Sequence, residues 1–499
     1  MQKQRGVTLL ILAIVMALAT ITYFLTSVTP EKLKIDRQEK TQVALKKAKN
    51  ALINYAITNA DRVGQGIIRM GKLPCPDVDS NNVPPEGDQD YPCDGVHENT
   101  IGFFPYKSIG VDALRDASGN CLLYAVSPGY KFYDDPATRF YNSDANGLFQ
   151  IVDTSGAIIK GVAPADRPVA IVFAANQTLA GQSRNFDDTS ICGKDNTNIS
   201  AYLDNNGITD NGTLSGGNDV IDQFVHATTT SSNDANPLND TFITISKNEI
   251  WGPIVERNDF TQRMNYLTRA LAICLRNYSS TDISNRRLPW PSPIGLLGSD
   301  YATNNNYDDA LPDTVYAGRY PFKVDHSNAA LSRSGGDELF SMPGVCPSIG
   351  LPDGSTAEFW NTNNEYRKLW DNWKDHIFYS LSRVYAPSFG GPGQSECNAG
   401  VNDCITVNGV PRAGVVYFSG RRLAGQSRSA PPPVSDPDEK SDISNYLENG
   451  NDAVFLGADG TQADAYVYDT TNPEIANDIM WCITNESTGG AFQLQVVGC

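Results

Sequence analysis

The chain has 499 residues, a mass of 54.2 kDa and a formal net charge of −18, with 40% hydrophobic and 9% aromatic residues. That composition is ordinary for a globular protein and excludes both wholesale disorder and a polytopic membrane protein. A pI near 4.6 argues against nucleic acid as a partner, because such binding needs clustered Lys and Arg. The charge is uneven: residues 1–50 carry a net +6 and the rest −24, so a basic arm precedes an acidic body. Ten cysteines are compatible with an oxidising compartment.

The chain opens with the short basic stretch Met1-Gln-Lys-Gln-Arg5-Gly6, and residues 6–30 then carry no charge. The apolar run Val7–Leu25 is close to the ~20 residues that span a bilayer as a helix. Lys3 and Arg5 predict a single pass with the N-terminus in the cytoplasm and the body across the membrane. A cleaved signal peptide fits less well, since the run exceeds the roughly 7–15 residues of its apolar region and no A-x-A-like site follows. An uncleaved signal anchor is the competing reading.

The segment Arg5-Gly6-Val7-Thr8-Leu9-Leu10 resembles the leader junction of type IV prepilins and type II secretion pseudopilins. The resemblance implies cleavage between Gly6 and Val7 by a prepilin peptidase and methylation of the new N-terminus. It also implies a membrane helix through Val7, Leu9, Leu10, Ile11, Leu12 and on to Leu25, a single pass of the bacterial inner membrane with the body periplasmic, packed among other pilin or pseudopilin subunits, with a pilus tip at the cell surface as the other location. One position departs from the pattern. Most of these proteins carry Glu at the fifth mature position, where it is thought to pair with a neighbouring subunit's N-terminal amine; here the residue is Ile11. That loss points to a minor, tip or priming subunit.

Beyond Pro30, which would kink or break a helix running through it, Val43 or Ala44, Ala48, Ala51, Leu52, Tyr55 and Ala56 recur at helical steps. This predicts an amphipathic stalk helix to about residue 60. A long N-terminal helix, half in the membrane and half on a globular sheet, is what the resemblance implies.

The body repeats itself. Leu179-Ala-Gly-Gln-Ser-Arg184 recurs as Leu423-Ala-Gly-Gln-Ser-Arg428, and Ile199-Ser-Ala-Tyr-Leu203 as Ile443-Ser-Asn-Tyr-Leu447 at the same offset. Leu73-Pro-Cys-Pro76 matches Leu288-Pro-Trp-Pro291, Gly102–Tyr106 matches Gly318–Phe322, and Leu122–Val126 matches Ile377–Leu381. Asn248–Trp251 faintly matches Asn477–Trp481. The preserved order indicates tandem copies. Asp259 is the expected N-cap of a second helix whose Phe260, Met264, Leu267, Leu271, Cys274 or Leu275, and Tyr278 share one face. Thr154-Ser-Gly156 predicts a hairpin, as does Asn408-Gly409. Pro168–Ala174 and Gly414–Ser419 read as equivalent buried strands.

The expected fold class is therefore α+β: a transmembrane and amphipathic N-terminal helix, then two tandem pilin-like modules, each one helix packed on one antiparallel sheet. The expected divisions are 1–6 leader, 7–60 transmembrane and stalk helix, 61–257 first module and 258–499 second module.

No cysteine is equivalent in the two copies: Cys75 faces Trp290, and Cys274 faces Ala51. There is no C-x-x-C and no zinc spacing. Local disulfides are the better account, with Cys75–Cys93, Cys397–Cys404 and Cys482–Cys499 as near-neighbour candidates and free buried cysteines as the alternative. Asp77, Asp79 and Asn81 alternate like the first half of a calcium loop but lack its Gly and distal Glu. Calcium is the one cofactor suggested, against an ordinary solvated turn. His97, His226, His326 and His376 form no metalloprotease motif, and neither a nucleophile elbow nor a P-loop occurs. No enzyme is expected. The repeated LAGQSR reads as a structural turn, with a functional loop as the alternative. The function expected is a minor pilin or pseudopilin subunit acting by assembly, tip capping, priming or surface presentation. A signal-anchored periplasmic or cell-surface binding or adhesion protein, never in a filament, is the alternative.

Overall fold

The structure is a computed structural model of the whole chain. It describes residues 4–27, 30–61, 69–78, 85–93, 95–131, 141–184, 192, 198–226, 237–281, 287–309, 315–324, 337–387, 397, 403–469, 471, 477–488 and 491–499.

Helix α1 spans Gln4–Ser27 and α2 spans Pro30–Thr58. Pro30 opens α2, where a missing N–H costs nothing and a fixed φ helps. The buried stripe of α2 is Ala44, Leu45, Ala48, Leu52, Tyr55 and Ala56, while Val43 is exposed. Strands β1 (Thr100–Phe103) and β2 (Leu123–Val126) flank the short helix α3 (Tyr106–Ile109). Next come β3 (Phe149–Val152), β4 (Ile158–Lys160), β5 (Ala170–Ala174), β6 (Asp222–Val225) and β7 (Thr241–Ile245). Helices α4 (Lys247–Val255) and α5 (Asn258–Thr281) follow. Ser246 and Glu249 form a capping box on α4, satisfying two of its otherwise orphan N–H groups. The whole predicted face of α5 is buried. Asp259 lies inside its first turn instead of capping it; its carboxylate pairs with Arg257 at 2.8 Å and accepts the Phe260 N–H at 3.0 Å.

The second half contributes β8 (Ala317–Arg319), β9 (Ile349–Gly350), β10 (Thr356–Ala357), α6 (Glu365–Trp373) and β11 (Ile377–Leu381). It ends with β12 (Ile405–Val407), β13 (Val410–Arg412), β14 (Gly414–Phe418), α7 (Asn451–Leu456), β15 (Ala465–Tyr466), β16 (Ile479–Thr488) and β17 (Ala491–Gly498). Asn408 and Gly409 take φ of 50° and 76° between β12 and β13, the paired positive φ that a tight primed hairpin turn requires.

Two strand orders recur. The four-stranded sheet β1-β2-β5-β7 is echoed by β8-β11-β14-β16, to which β17 adds an edge. The three-stranded sheets β4-β3-β6 and β13-β12-β15 each combine one antiparallel hairpin with one parallel pair. The faint match of Asn248–Trp251 with Asn477–Trp481 fails, because the first lies in helix α4 and the second runs into strand β16.

The expected fold class is corrected on two counts. First, the body is not one helix on one antiparallel sheet, twice. It is α+β with, among the described residues, five small sheets, two of them containing parallel pairs. Among the described residues the largest apolar cluster runs across both halves, from Leu45 on α2 through Val172, Trp251 and Leu271 to Trp370 and Ile483, with a smaller separate cluster in each half around Phe173 and Tyr417. Helix and sheet therefore do not form separable units within each half.

Second, among the described residues no helix is long and apolar enough to cross a membrane. The expected transmembrane helix and the single-pass inner-membrane location, with cytoplasmic N-terminus and periplasmic body, are not supported.

Candidate functional site

The repeated hexapeptide builds the same polar bracket after β5 and after β14. Leu179 N–H donates to Gln182 Oε1 at 3.0 Å, and Leu423 N–H donates to Gln426 Oε1 at 2.8 Å. The motif's arginine then passes under the turn. Arg184 donates to the carbonyls of Ala175, Asn176, Ala201 and Tyr202 and to Gln182 Oε1. Arg428 donates to the carbonyls of Gly420 and Asn445 and to Gln426 Oε1. Each guanidinium lies over the tyrosine of the matching second motif, Arg184 5.5 Å from the Tyr202 ring and Arg428 4.5 Å from Tyr446. Planar guanidinium groups can satisfy several carbonyls and a ring face at once. LAGQSR is thus a structural bracket.

Behind each bracket sits a pair of acids. Gln182 Nε2 donates to Asp204 Oδ1 at 2.9 Å, and Gln426 Nε2 donates to Glu448 Oε1 at 3.2 Å. Asp204 and Asp240 exchange bonds, Asp204 N–H to Asp240 Oδ2 at 2.6 Å and Asp240 N–H to Asp204 Oδ2 at 2.9 Å. Burial, then the neighbouring Asp204, pushes the Asp240 carboxyl well above the usual carboxylate range. Burial, then Glu448, does the same to Asp478. Asp240 Oδ1 and Asp478 Oδ1 have no hydrogen-bond partner among the described residues, as expected where two buried acids cannot both ionise.

This arrangement has a measurable consequence. The native state keeps a proton on Asp240 that the unfolded chain, with a pKa of about 3.9, releases. Stability therefore falls as pH rises from about 4 through the raised native value. Asp240→Asn mimics the neutral acid, so it is expected to flatten that fall and to gain about 1 kcal/mol near neutral pH. Urea melts of both proteins from pH 4 to 8 measure this; identical slopes would count against a neutral Asp240.

A second cluster joins the two halves. Asp144 precedes β3, Asp375 and His376 precede β11, and Lys440 lies in the turn Glu439–Ser441. Lys440 Nζ lies 2.8 Å from Asp144 Oδ2 and is hydrogen-bonded to Asp375 Oδ2. His376 Nε2 lies 2.9 Å from Asp144 Oδ2 and 3.9 Å from Asp375 Oδ2. These four side chains are at most 2% exposed. Trp373, Phe418 and Tyr446 wall the cluster around His376. Burial alone would raise the Asp144 carboxyl, but Lys440, then His376 and Arg428, holds it well below its usual range. Burial would likewise lower the Lys440 ammonium, but Asp144 and Asp375 hold it above the usual lysine range.

Asp144, Asp375 and His376 bring one ligand atom each within 4.8 Å of one another, which is a plausible donor set for a metal. The same Asp144 and Asp375 oxygens are engaged by the Lys440 ammonium, so the positive charge is already supplied by the chain. The halves are bridged again by Arg167, whose Nη1 is 2.8 Å from Asp436 Oδ1, and by Tyr141 N–H donating to Asn372 Oδ1 at 2.9 Å.

Of the residues singled out from the sequence, Gly6 and Val7 lie within α1. Leu9, Leu10, Ile11 and Leu12 are exposed on α1, which also contains Leu25. Cys75 is bonded to Cys93, Cys397 to Cys404 and Cys482 to Cys499. Two further bonds, Cys121–Cys192 and Cys274–Cys346, join partners too distant in sequence for spacing to suggest. All ten cysteines are thereby paired. Asp77 is buried, and its Oδ2 accepts the Gly87 N–H at 2.6 Å. Asp79, Asn81 and His326 lie outside the described residues. His97 Nδ1 sits 3.0 Å from Asp219 Oδ2, far in sequence from the junction cluster.

Sequence reasoning missed Asp144, Asp375 and Lys440. The one local signal was the charged pair Asp375-His376 set directly against the apolar strand Ile377–Leu381. No family model, curated protein or solved structure matches the chain.

Proposed function

We propose that this protein acts by assembly, as a minor pilin-like or pseudopilin-like structural subunit of a type IV pilus or a type II secretion system. In this reading a prepilin peptidase cuts between Gly6 and Val7, and the new N-terminus engages other pilin or pseudopilin subunits. The observation that carries it is α1 itself. Leu9, Leu10, Ile11, Leu12, Val15, Met16 and Leu18 are all exposed on it, directly after the Arg5-Gly6-Val7 junction. An apolar surface of that kind calls for a partner, and neighbouring subunits' helices would supply one. Ile11 cannot make the ion pair expected of a major subunit, which favours a minor position. The body supports a mechanical role, since its halves share their largest apolar cluster and buried charge bridges, and five disulfides tie segments within each half.

The test is the N-terminal residue of the protein purified from its native host, read by mass spectrometry. N-methyl-Val7 is expected, and a bulky substitution at Gly6 is expected to abolish the cut. An intact Met1, or a cut beyond Leu25, overturns the reading and favours a binding protein that never enters a filament.

A further inference from the structure

The two copies solve one structural problem differently. In the first, Cys121 at the start of the β2 segment is bonded to Cys192, in the stretch that follows Arg184; the partners are 71 residues apart. The match of Leu122–Val126 with Ile377–Leu381 places His376 opposite Cys121 and Asp375 opposite Asn120. In the second copy the stretch that follows Arg428 carries Lys440, and Lys440 meets Asp375 across a separation of 65 residues. The same two segments are thus tied in both copies, by a disulfide in one and by a lysine–carboxyl contact in the other.

The surroundings of that contact suit a reaction between its partners. Arg319 donates to the main-chain carbonyls of both Asp375 and Lys440, holding the two backbones in register. Asn142 Nδ2 donates to Asp375 Oδ1 at 2.8 Å, where it would stabilise negative charge developing on that oxygen during attack at Cγ. Asp144 Oδ2 lies 2.8 Å from Lys440 Nζ and 2.9 Å from His376 Nε2, a path for the proton; the ion pair holds the resting amine protonated, so the reaction proceeds from the minor neutral form of the pair. The aromatic walls exclude water, which opposes hydrolysis of the product.

We propose that Lys440 Nζ and the Asp375 carboxyl condense to an intramolecular amide, a self-formed cross-link within the second copy. One ammonium proton passes to Asp144, with His376 beside it, and Nζ attacks Asp375 Cγ. The Cγ–Nζ bond forms and the Cγ–Oδ2 bond breaks. Two of the three ammonium protons leave with Oδ2 as water, carried through Asp144, and the third remains on the amide nitrogen. No electrons are transferred and no co-reactant is required. Asp144 comes from the first copy, so the bond forms only after the two halves have docked.

The experiment is the intact mass of the reduced, denatured protein, compared with the mass set by its own N-terminal residue, followed by peptide mapping. The expected result is a mass lower by one water and a single branched peptide joining Lys440 to Asp375. Lys440→Arg, which keeps the charge but cannot condense, is expected at full mass. Asp144→Asn, which keeps the fold's contact but removes the proton carrier, is also expected at full mass. Wild-type protein at full mass with separate Lys440 and Asp375 peptides overturns the proposal, and so does a water loss that persists in Lys440→Arg. Neither result depends on where the N-terminus is cut.

Discussion

Lys440→Met is expected to lower folding stability by about 3–5 kcal/mol, the cost typical of removing one partner from a buried charge cluster. Met fills much of the volume but leaves Asp144 and Asp375 facing each other with their main cation gone. Both carboxylates are 1% exposed, so water cannot compensate. The pH profile should change as well. In the wild type, Lys440 is the leading influence that lowers Asp144 against its burial. Asp144's contribution is therefore present above its unfolded value of about 3.9 and is lost as pH falls through the depressed native value. Without Lys440 burial dominates, the native carboxyls prefer to be neutral, and the variant should be least stable near neutral pH and recover on mild acidification. Guanidinium melts at pH 5 and pH 7 distinguish the two profiles. A loss below about 1 kcal/mol at pH 7 would place the cluster among weak surface pairs. This expectation is for the uncondensed chain; once the amide has formed, Lys440 carries no charge and the substitution removes the cross-link instead.

Arg184→Ala and Arg428→Ala are expected to cost about 3–5 kcal/mol each, through several buried groups orphaned at once. Arg184 serves four carbonyls and the Gln182 amide oxygen. Arg428 serves two carbonyls and Gln426, and its Nη1 lies 3.2 Å from His376 Nδ1. The second substitution should therefore also loosen the junction between the halves, and Lys440→Met on top of Arg428→Ala should be less than additive. Arg→Lys at either position should recover only a small part of the loss, since an ammonium cannot fork between carbonyls and lie flat over a tyrosine. Thermal unfolding of the four variants measures this. An Arg184→Ala protein within about 0.5 kcal/mol of the wild type would show the bracket to be ornamental.

Much of the fold was legible because its signals are local. The face of α5 from Phe260 to Tyr278 follows from helical spacing, and Asn408-Gly409 follows from its tolerance of positive φ. The tandem repeat was visible in LAGQSR, and its reading as a structural turn holds because Gln182 and Gln426 close the same bond. The expected sheet organisation failed because partners distant in sequence leave no periodic trace. Nothing local says that β3 pairs in parallel with β6, or β12 with β15, so one sheet per copy became several. Likewise Cys121 and Cys192 carry no spacing signal. The apolar run after Gly6 was read as a membrane span from composition, and the described residues do not support that.

By itself the sequence determined the helical faces, the hairpin turns and the duplication, since each depends on residues a few positions apart or on plain identity. Only the tertiary structure decided where the acids went. Asp144 is more than 200 residues from Asp375 and nearly 300 from Lys440, and a charge is drawn into an apolar interior only where its counterion already waits. That meeting is made by the docking of the two halves, which no short stretch of chain records.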